Sequence, residues 1–381
     1  MKLIYLANIG LPGDWAHSLQ IMKMCEAFAG LGVDVEIIVP KRSVKALINE
    51  DPFVFYNVAK TFKITRLFCI DLVPGGTSLF NFLLRTFSFL CSARIYLFFK
   101  HFDILYTREQ FAGLLFRQVV YELHYLPKKI SLYHKINWHK AKALIVLTRF
   151  IKDQLVQWRI KADKILVEGD AVSLEEFSSA MAKEDARKYL ALPLDKKIIL
   201  YTGSFFTHSW KGVDVLLESA KHISGEYLFV FVGGNEKEIA QVKKDYVQNN
   251  LLFIGQKLHK EIPYYLKAAD VLVLPNKKGD PHSEKFTSPL KLFEYMAAGR
   301  PIVASDLQSI REVLNADNSI LVEPNIPESL SKGIRKVFEN SELAEKIAWQ
   351  ASVDVRNFTW QKRAERIINF VISSSGSLKN N

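Results

Sequence analysis

Short apolar runs alternate with helix-like segments along the chain. In the first half, runs rich in valine, isoleucine and leucine lie at 3–8, 35–40, 103–107, 119–124, 143–148 and 165–169. They lack the regular alternation of half-exposed strands, which is typical of strands covered on both faces in parallel sheets. An amphipathic helix is expected at 18–32, where it ends on glycine. Helices between such strands indicate βαβ units.

The same pattern begins again near residue 196. Strands are expected at 197–203, 227–234, 251–256, 271–276, 301–305 and 320–324. The segment 191–197 contains a proline and few apolar residues, and it predicts a joint. We therefore predict an α/β protein of two Rossmann-like, doubly wound domains. Their ligands are expected at the carboxyl ends of the strands, in a central cleft that both domains face.

One apolar segment, 79–100, departs from this alternation. It is about as long as a membrane span, but Arg85 and Arg94 interrupt it, and arginines inside a bilayer are costly. We expect an amphipathic helix that either packs into the core or lies on a membrane surface.

Composition and charge narrow the class of protein. The 381 residues are 49% hydrophobic and 24% charged, which is ordinary for a globular protein and long enough for two domains. Net charge is +11, and residues 51–150 hold 14 lysines and arginines against 5 aspartates and glutamates. This basic region suits anionic lipid or a phosphorylated substrate, or it is solvated surface. No nucleic-acid-binding motif accompanies it, so we expect no nucleic-acid partner.

The cysteines and the N-terminal residues indicate the cellular compartment in which the protein is expected. Cys25, Cys69 and Cys91 lack zinc-like or CxxC spacing and predict buried thiols in a reducing environment. The N-terminal apolar run is too short for a secretory signal. We therefore expect a cytoplasmic protein.

The segment 286–305 has the sequence FTSPLKLFEYMAAGRPIVAS and carries the first candidate site. It predicts a helix with Pro289 in its first turn and Gly299 at its end. The start of a helix offers unpaired N–H groups and partial positive charge to a diphosphate, and Lys291 adds a full charge. Glu294, one turn further, suits the two hydroxyls of a ribose. It is equally consistent with a half-exposed helix glutamate.

A second candidate site lies in GSFFTHSWKG (203–212), between an expected strand and an expected helix. Lys211, just before the helix, suits a phosphate group, although a lysine in a long loop often lies on the surface. Two positively charged turns at strand ends of one sheet favour a nucleotide-diphosphate site.

Four segments resemble glycosyltransferase family 4, the retaining enzymes of the GT-B fold. They are FTSPLKLFEYMAAGRPIVASDLQSIREVL, LYTGSFFTHSWKGVDVLLESA, DAVSLEEF and FTWQKRAERI. The resemblance is strong over 196–370 and weaker over 1–150. It implies an acceptor-binding domain (1–190), a domain for the nucleotide-sugar (191–357), and a C-terminal helix and tail (358–381) that cross back to the first domain.

The family resemblance implies an activity of EC class 2.4. A hexose-type sugar is expected to move, with retention, from a UDP- or GDP-linked donor to an acceptor hydroxyl. The acceptor is expected to be a saccharide or lipid-linked intermediate of cell-surface polysaccharide or glycolipid synthesis. The enzyme is expected in the cytoplasm, with possible contact between its basic N-terminal domain and the inner, anionic face of the membrane.

The resemblance also assigns site residues. Lys211 is implied to bind the donor phosphates, Glu294 the ribose, and His124 the donor sugar or acceptor; these three form the implied catalytic set. The other residues implied to bind the donor are Gly203, Ser204, Gly255, Lys257, Ser288, Leu290 and Lys291. The residues implied to bind the acceptor are Gly13, His17 and His124. Both histidines are also consistent with an ordinary hydrogen-bonded histidine at the end of an element, and His208 fits either interpretation.

Some positions depart from the family pattern. Phe286 stands where the first glutamate of the E-x7-E motif is usual, and Glu284 is two residues early. Ser204 replaces a phosphate-binding arginine, as in one branch of the family that also has the Trp-Lys-Gly ending. Trp15 occupies a loop position where small residues are common.

Three further inferences concern metal and alternative functions. The chain has no D-x-D motif and no cluster of cysteine and histidine, so no metal or other cofactor is expected, and lysines with helix-start amides balance the diphosphate. A sugar-nucleotide epimerase of the same fold is an alternative, although the sequence offers no matching carboxylate–histidine set. A non-catalytic sugar-nucleotide-binding homologue is another, which Phe286 and Ser204 favour.

Overall fold

The computed structural model describes residues 1–13, 16–42, 49–72, 78–177, 181–205, 209–223 and 225–376. The chain divides into two compact units. Unit 1 comprises Met1–Gly169 together with the chain from Trp360, and unit 2 comprises Asp170–Thr359. The boundary therefore lies at 169/170, earlier than the expected 190/191.

The elements alternate as the apolar pattern predicts. The strands in the described residues are β1 (Lys2–Leu6), β2 (Asp34–Pro40), β3 (Lys63–Leu67), β4 (Ile104–Thr107), β5 (Val119–Leu123), β6 (Ala143–Val146), β7 (Ile165–Val167), β8 (Lys197–Thr202), β9 (Tyr227–Val232), β10 (Leu251–Gly255), β11 (Val271–Leu274), β12 (Ile302–Ser305) and β13 (Ile320–Val322).

Helices connect these strands. The α-helices in the described residues are α1 (Ala16–Gly30), α2 (Pro52–Phe55), α3 (Leu79–Phe98), α4 (Leu132–Lys140), α5 (Arg149–Gln157), α6 (Leu174–Phe177), α7 (Lys183–Tyr189), α8 (Val213–Ser219), α9 (Glu236–Asp245), α10 (Ile262–Ala268), α11 (Leu290–Ala298), α12 (Pro327–Glu339), α13 (Ser341–Asp354) and α14 (Trp360–Gly376). Shorter turns of 3₁₀ or π geometry lie at Gln110–Leu114, Ala162–Lys164, Ser209–Lys211, Ala220–His222, His259–Glu261, His282–Phe286 and Val355–Asn357.

Unit 1 contains a seven-stranded sheet of order β3-β2-β1-β4-β5-β6-β7, and every pair is parallel. Strand order reverses at β1, which pairs with both β2 and β4. The sequence pattern did not predict β3, because this edge strand, KITRL, is partly exposed and has no continuous apolar run.

Unit 2 contains a six-stranded parallel sheet of order β10-β9-β8-β11-β12-β13, which reverses at β8. Both faces are covered. Ile198 and Leu200 of β8 pack with the cluster that includes α11, whereas Ile199 and Tyr201 pack with the cluster that includes α8. Because successive side chains of a strand point to opposite faces, β8 is apolar at nearly every position.

A buried arginine explains why the boundary precedes α7. The Arg187 guanidinium donates to Asp270 Oδ2 (2.6 Å), to the main-chain oxygen of Ala268 (2.9 Å) and to that of Lys196 (2.9 Å). These bonds join α7 to the segments before β8 and β11, so residues 183–190 belong to unit 2.

The last helix belongs to unit 1. Arg363 Nε donates to the main-chain oxygen of Gly169 (2.7 Å), and Arg366 forms two hydrogen bonds to the Glu168 carboxylate (2.6 and 2.9 Å). Helix α14 therefore returns to the N-terminal sheet, beginning at Trp360.

Helix α3 has both a core face and an exposed apolar face. Phe89, Leu90 and Ala93 are fully buried. The exposed apolar residues of this helix are Leu79, Phe80, Phe87, Ile95 and Phe98. Among the described residues, every helix is too short or too polar to cross a bilayer.

The cysteines differ from expectation. Cys25 is buried, but Cys69 is partly exposed and Cys91 is exposed, and all three are free thiols. Cys91 lies on the outer side of α3, so its apolar neighbours in sequence do not enclose it.

Candidate functional site

Gly203 directly follows β8, at the strand where the sheet order of unit 2 reverses. Its N–H donates to the main-chain oxygen of Val232 (2.9 Å), and its φ of +131° is in a region that favours glycine. A Cβ at this position would lie 3.3 Å from Lys291 Nζ. Glycine thus leaves space beside the lysine at the end of the central strand.

Lys211 lies near the same end of the unit 2 sheet, next to the residues that follow β8. Its Nζ donates to Ser204 Oγ at 2.6 Å. The next residue, Gly212, has a φ of +70°, and a Cβ there would lie 1.8 Å from the main-chain oxygen of Pro275. This close approach fixes the Lys211 turn on the end of β11. His208 of the same loop lies outside the described residues.

Lys291 reaches the same strand from α11. Its Nζ donates to the main-chain oxygen of Thr202 (3.0 Å) and lies 3.9 Å from the ring centroid of Tyr201. Burial lowers the pKa of Lys291 well below its usual range, and the charge of Lys211 lowers it further, against the opposing effect of Glu294. Burial also lowers the pKa of Lys211.

The two lysines therefore have neutral oxygen partners. In the part of the chain that the structure describes, neither forms an ion pair within 4.0 Å. Burial disfavours the charged form of both lysines, and an anion between or beside them would favour it again. The arrangement suits a diphosphate.

Helix α11 begins one residue later than expected. Pro289 has extended backbone angles and is the N-cap, and Leu290 is the first helical residue. Ser288 lies before the helix, where its Oγ accepts the N–H of Asp170 (2.8 Å). The helix-start amides are thus those of Leu290 and Lys291, and Ser288 fixes the preceding loop.

Glu294 has a partner that the sequence did not indicate. Its Oε1 lies 2.8 Å from His259 Nε2, and the residue is 8% exposed. The His259 ring packs edge-on against Phe177, with centroids 5.8 Å apart. Because 35 positions separate the pair, only the fold brings His259 to the carboxylate.

The remaining predicted donor residues lie at the ends of neighbouring strands. The main-chain oxygen of Gly255 accepts the N–H of Gly233 (2.8 Å), which joins the ends of β9 and β10. Lys257 lies two residues beyond and is partly exposed. Asn276, beyond β11, was not predicted; it is 0% exposed, and neither atom of its amide has a partner among the described residues.

Phe286 ends the π-helical turn His282–Phe286. Glu284, the nearest glutamate to the usual motif position, accepts the N–H of Gly279 at 2.5 Å. One oxygen of that carboxylate is therefore engaged within its own loop.

In unit 1, His124 follows β5 and is paired with Glu122. His124 Nε2 lies 2.7 Å from Glu122 Oε1, which also accepts from Arg363 Nη2 (3.0 Å) and Gln20 Nε2 (2.7 Å). The second oxygen, Oε2, accepts from Tyr106 (2.5 Å). One buried carboxylate thus joins β4, β5, α1 and α14.

His124 is neutral despite its carboxylate partner, because burial outweighs the opposing effect of Glu122. Burial lowers the pKa of His124 to about 3, and the charge of Arg108 adds to this effect. Burial alone would raise the pKa of Glu122, but Arg363 and His124 hold it well below its usual range. A carboxylate accepts hydrogen bonds, so Nε2 carries the proton and Nδ1 is left as the acceptor.

The other two predicted acceptor residues lie near the end of β1. The Gly13 N–H donates to the Tyr56 hydroxyl at 2.7 Å. His17 lies in the first turn of α1, where burial and the charges of Arg108 and Arg42 lower its pKa to about 4. Trp15, between them, lies outside the described residues.

Most of unit 2 is similar in sequence to a known protein family. Residues 182–353 match the family model described as "Glycosyl transferases group 1". A D-inositol 3-phosphate glycosyltransferase of Xylanimonas cellulosilytica is 27% identical over 243 residues, which cover 60% of this chain and 56% of that protein. A phosphatidyl-myo-inositol mannosyltransferase of Mycobacterium leprae is 24% identical over 246 residues, 63% of this chain and 62% of that protein. The chain thus spans about three fifths of these curated relatives.

Solved structures share the fold over nearly the whole chain. A sucrose-phosphate synthase of Thermosynechococcus elongatus superimposes with a TM-score of 0.80 at 20% identity, covering 99% of this chain and all of that one. The Anabaena protein HepE, in complex with UDP-glucose, gives a TM-score of 0.73 at 17% identity over 98% of this chain and all of that one. The predicted GT-B fold of two Rossmann-like domains is confirmed.

Proposed function

We propose that this chain, whose residues 182–353 match the family model of the group 1 glycosyl transferases, moves a sugar from a nucleotide diphosphate to an acceptor hydroxyl. One observation carries the proposal. Lys211 and Lys291 lie at the reversal point of the unit 2 sheet, and each donates to a neutral oxygen. Ligands of doubly wound sheets bind at this point, and two such ammonium groups suit a diphosphate.

Negative charge develops on the departing diphosphate during the reaction, and it must be stabilised for the bond to break. Lys211, Lys291 and the helix-start amides of Leu290 and Lys291 stabilise it as the bond between sugar C1 and phosphate oxygen breaks. The acceptor oxygen forms its bond to C1 on the same face, which retains the configuration. The acceptor proton passes to the departing phosphate oxygen, and no separate general base takes part.

Glu294 is assigned to the ribose hydroxyls, with His259 holding its carboxylate in place. His124 is assigned to positioning of the donor sugar or acceptor through Nδ1, which acts as the acceptor. In this proposal two lysines balance the diphosphate, so no divalent ion is required. Turnover that survives excess EDTA is the expected result, and strict dependence on added Mg²⁺ or Mn²⁺ would contradict it.

A donor screen tests the proposal directly. Thermal shift with UDP, GDP and TDP, followed by transfer and hydrolysis assays with their sugars, is expected to identify one base, because a tight ligand stabilises the folded state. UDP is the first choice, since the HepE structure was determined with UDP-glucose. Turnover of any donor excludes the non-catalytic alternative, and a free epimerised sugar-nucleotide product would support the epimerase.

The acceptor is proposed to be a lipid-linked or saccharide intermediate at the inner face of the cytoplasmic membrane. The exposed apolar face of α3, with the exposed Arg94 beside Phe98, supports contact with anionic lipid. Cosedimentation with vesicles that contain anionic lipid is expected to exceed that with neutral vesicles, and Phe80→Ser should reduce it. Val247→Ser, which changes an exposed apolar residue of unit 2, is the matched control.

A further inference from the structure

Unit 1 has a group of arginines that the proposed transfer does not use. Arg42 lies two residues beyond β2, and Arg108 directly follows β4. Both strands flank β1, where the sheet order reverses. Since the carboxyl ends of parallel strands meet at one edge, the two arginines share the ligand-binding edge of unit 1.

A third arginine reaches this edge from helix α3. Arg42 Nη2 donates to the main-chain oxygen of Asn8 (3.1 Å), and the Asn8 amide donates to Thr86 Oγ1 (3.0 Å), beside Arg85. Burial lowers the pKa of Arg42, and the charge of Arg85 lowers it further. The two guanidinium groups are therefore close enough to repel each other.

The hydrogen-bonding capacity and charge of these arginines are incompletely satisfied. Arg42 Nε and Arg85 Nε are both enclosed and have no acceptor among the residues that the structure describes. Asp71 Oδ2 lies 3.8 Å from Arg85 Nη1. The other nearby carboxyl group, Glu109, has a pKa raised by burial, which favours its neutral form. Glu122 is already bonded to Arg363, so positive charge is in excess among the described residues of this edge.

Enclosed N–H donors without acceptors are costly, and an anionic ligand is one way to satisfy them. Guanidinium groups match phosphate oxygens in charge and in geometry. We propose that the arginine cluster, defined as Arg42, Arg85 and Arg108, binds a phosphate or diphosphate group of the acceptor. The inference rests on the proposed function only in identifying this ligand as the acceptor.

The probe is inorganic pyrophosphate, titrated into the full-length chain by calorimetry. The background is the double variant Lys211→Ala/Lys291→Ala, so that the proposed donor site does not contribute. Arg42→Gln and Arg85→Gln are each expected to weaken binding about 10-fold or more, the usual effect of losing a charge-assisted hydrogen bond. Lys41→Gln removes an exposed charge next to Arg42 and is the matched control, expected to change affinity less than about twofold.

Unchanged affinity in both arginine variants overturns the proposal, as does an equal loss in Lys41→Gln, which would indicate non-specific attraction. Arg42→Lys keeps the positive charge but loses the paired N–H donors of the guanidinium group, so an intermediate affinity is expected. Circular dichroism and melting temperatures separate lost binding from lost folding. If Arg42→Gln does not fold, Arg42→Lys decides: affinity equal to that of the parent overturns the proposal.

A second titration distinguishes the two sources of such a phosphate. Glucose 6-phosphate represents a soluble sugar phosphate, and farnesyl diphosphate in neutral phosphatidylcholine vesicles represents a lipid-linked group. Binding of either that depends on Arg42 supports the site and identifies its source, whereas binding of neither overturns it. UDP binding by the wild-type chain is measured separately, so a failed donor site is distinguishable from a failed arginine cluster.

Discussion

Charged side chains at the carboxyl ends of the two sheets differ in the partners that they have within the protein. At the edge of unit 2, Lys211 and Lys291 donate to a serine hydroxyl and a main-chain oxygen. In unit 1, the Glu122 carboxylate is bonded to Arg363, His124 and Gln20. The lysines of the first edge have neutral partners, whereas the Glu122 carboxylate of unit 1 has charged and polar partners inside the protein.

This difference separates two roles for charged residues. A buried charge with full partners fixes the positions of the elements that carry them, and removal of one partner leaves the other uncompensated. A cation with a neutral partner retains its attraction for an incoming anion. The Glu122 network is therefore expected to govern stability and the orientation of His124, and the lysines are expected to govern ligand binding.

The largest expected effect comes from breaking the paired network. Arg363→Met leaves Glu122 buried without its main cation and should lower the free energy of unfolding by about 3–5 kcal/mol. Urea denaturation measures the loss. Gln361→Met, at an exposed position of the same helix, should change it by less than about 0.5 kcal/mol. An Arg363→Met protein as stable as the wild type would show that the network does not determine stability.

Next in size is the loss of a lysine with a neutral partner. Lys211→Ala should reduce turnover about 10²-fold, equivalent to about 2.7 kcal/mol of lost stabilisation of the diphosphate. Stopped assays with the donor identified by the screen measure it. The control is Lys221→Ala, because Lys221 is paired with Glu218 on the surface of the same unit (2.7 Å). Near-native turnover in Lys211→Ala would remove this lysine from the site.

A smaller effect is expected at the ribose position. Glu294→Gln keeps the shape of the side chain but loses its charge, and should raise the donor KM about 10-fold with a smaller change in kcat. Steady-state kinetics over a range of donor concentrations separate the two. Glu339→Gln, at an exposed end of α12, is the control. If donor affinity is the same in both variants, Glu294 does not bind the ribose.

The smallest expected effect is the pH dependence of His124. Its folded pKa of about 3 lies below the unfolded value of about 6.5, so the unfolded chain binds the extra proton as pH falls. Stability is therefore full above pH 6.5 and declines toward pH 3. Between pH 6.5 and 5.5, this histidine should account for about 1 kcal/mol of the loss.

His124→Gln should flatten that decline, as measured by urea denaturation at each pH. Asn249→Gln, an exposed substitution that changes no titratable group, is the control and should leave the slope unchanged. Equal slopes in the wild type and His124→Gln would show that His124 is not held neutral by the fold.

The fold was largely predictable because its strands are buried on both faces. In β8, Ile198 and Ile199 pack into apolar clusters on opposite faces of the sheet. The strand therefore has an apolar sequence without polar gaps, which can be recognised from the sequence. Edge strand β3 was not predicted, since one-sided burial leaves no such run. The boundary at 169/170 was also not predictable, because it depends on the long-range bonds of Arg187.

The local sequence predicted which residues near the turns are candidate site residues. It did not predict which residues they contact. Lys211 and Lys291 follow from loops and helix starts in the local sequence. His259, Glu122 and Arg363 carry no local signal, because their roles arise from contacts with residues 35, 102 and 241 positions away. The pair Glu122 and His124 is close in sequence, but a carboxylate and a histidine two apart on a strand end are common and do not by themselves indicate a network.

The sequence by itself determined the order of strands and helices, the two-domain architecture and the positively charged turns, because periodicity, glycine and proline act over a few residues. Only the tertiary structure decided which charges are neutralised within the protein. Hydrogen bonds and ion pairs depend on distances of about 3 Å between groups far apart in the chain, and no local pattern records those distances.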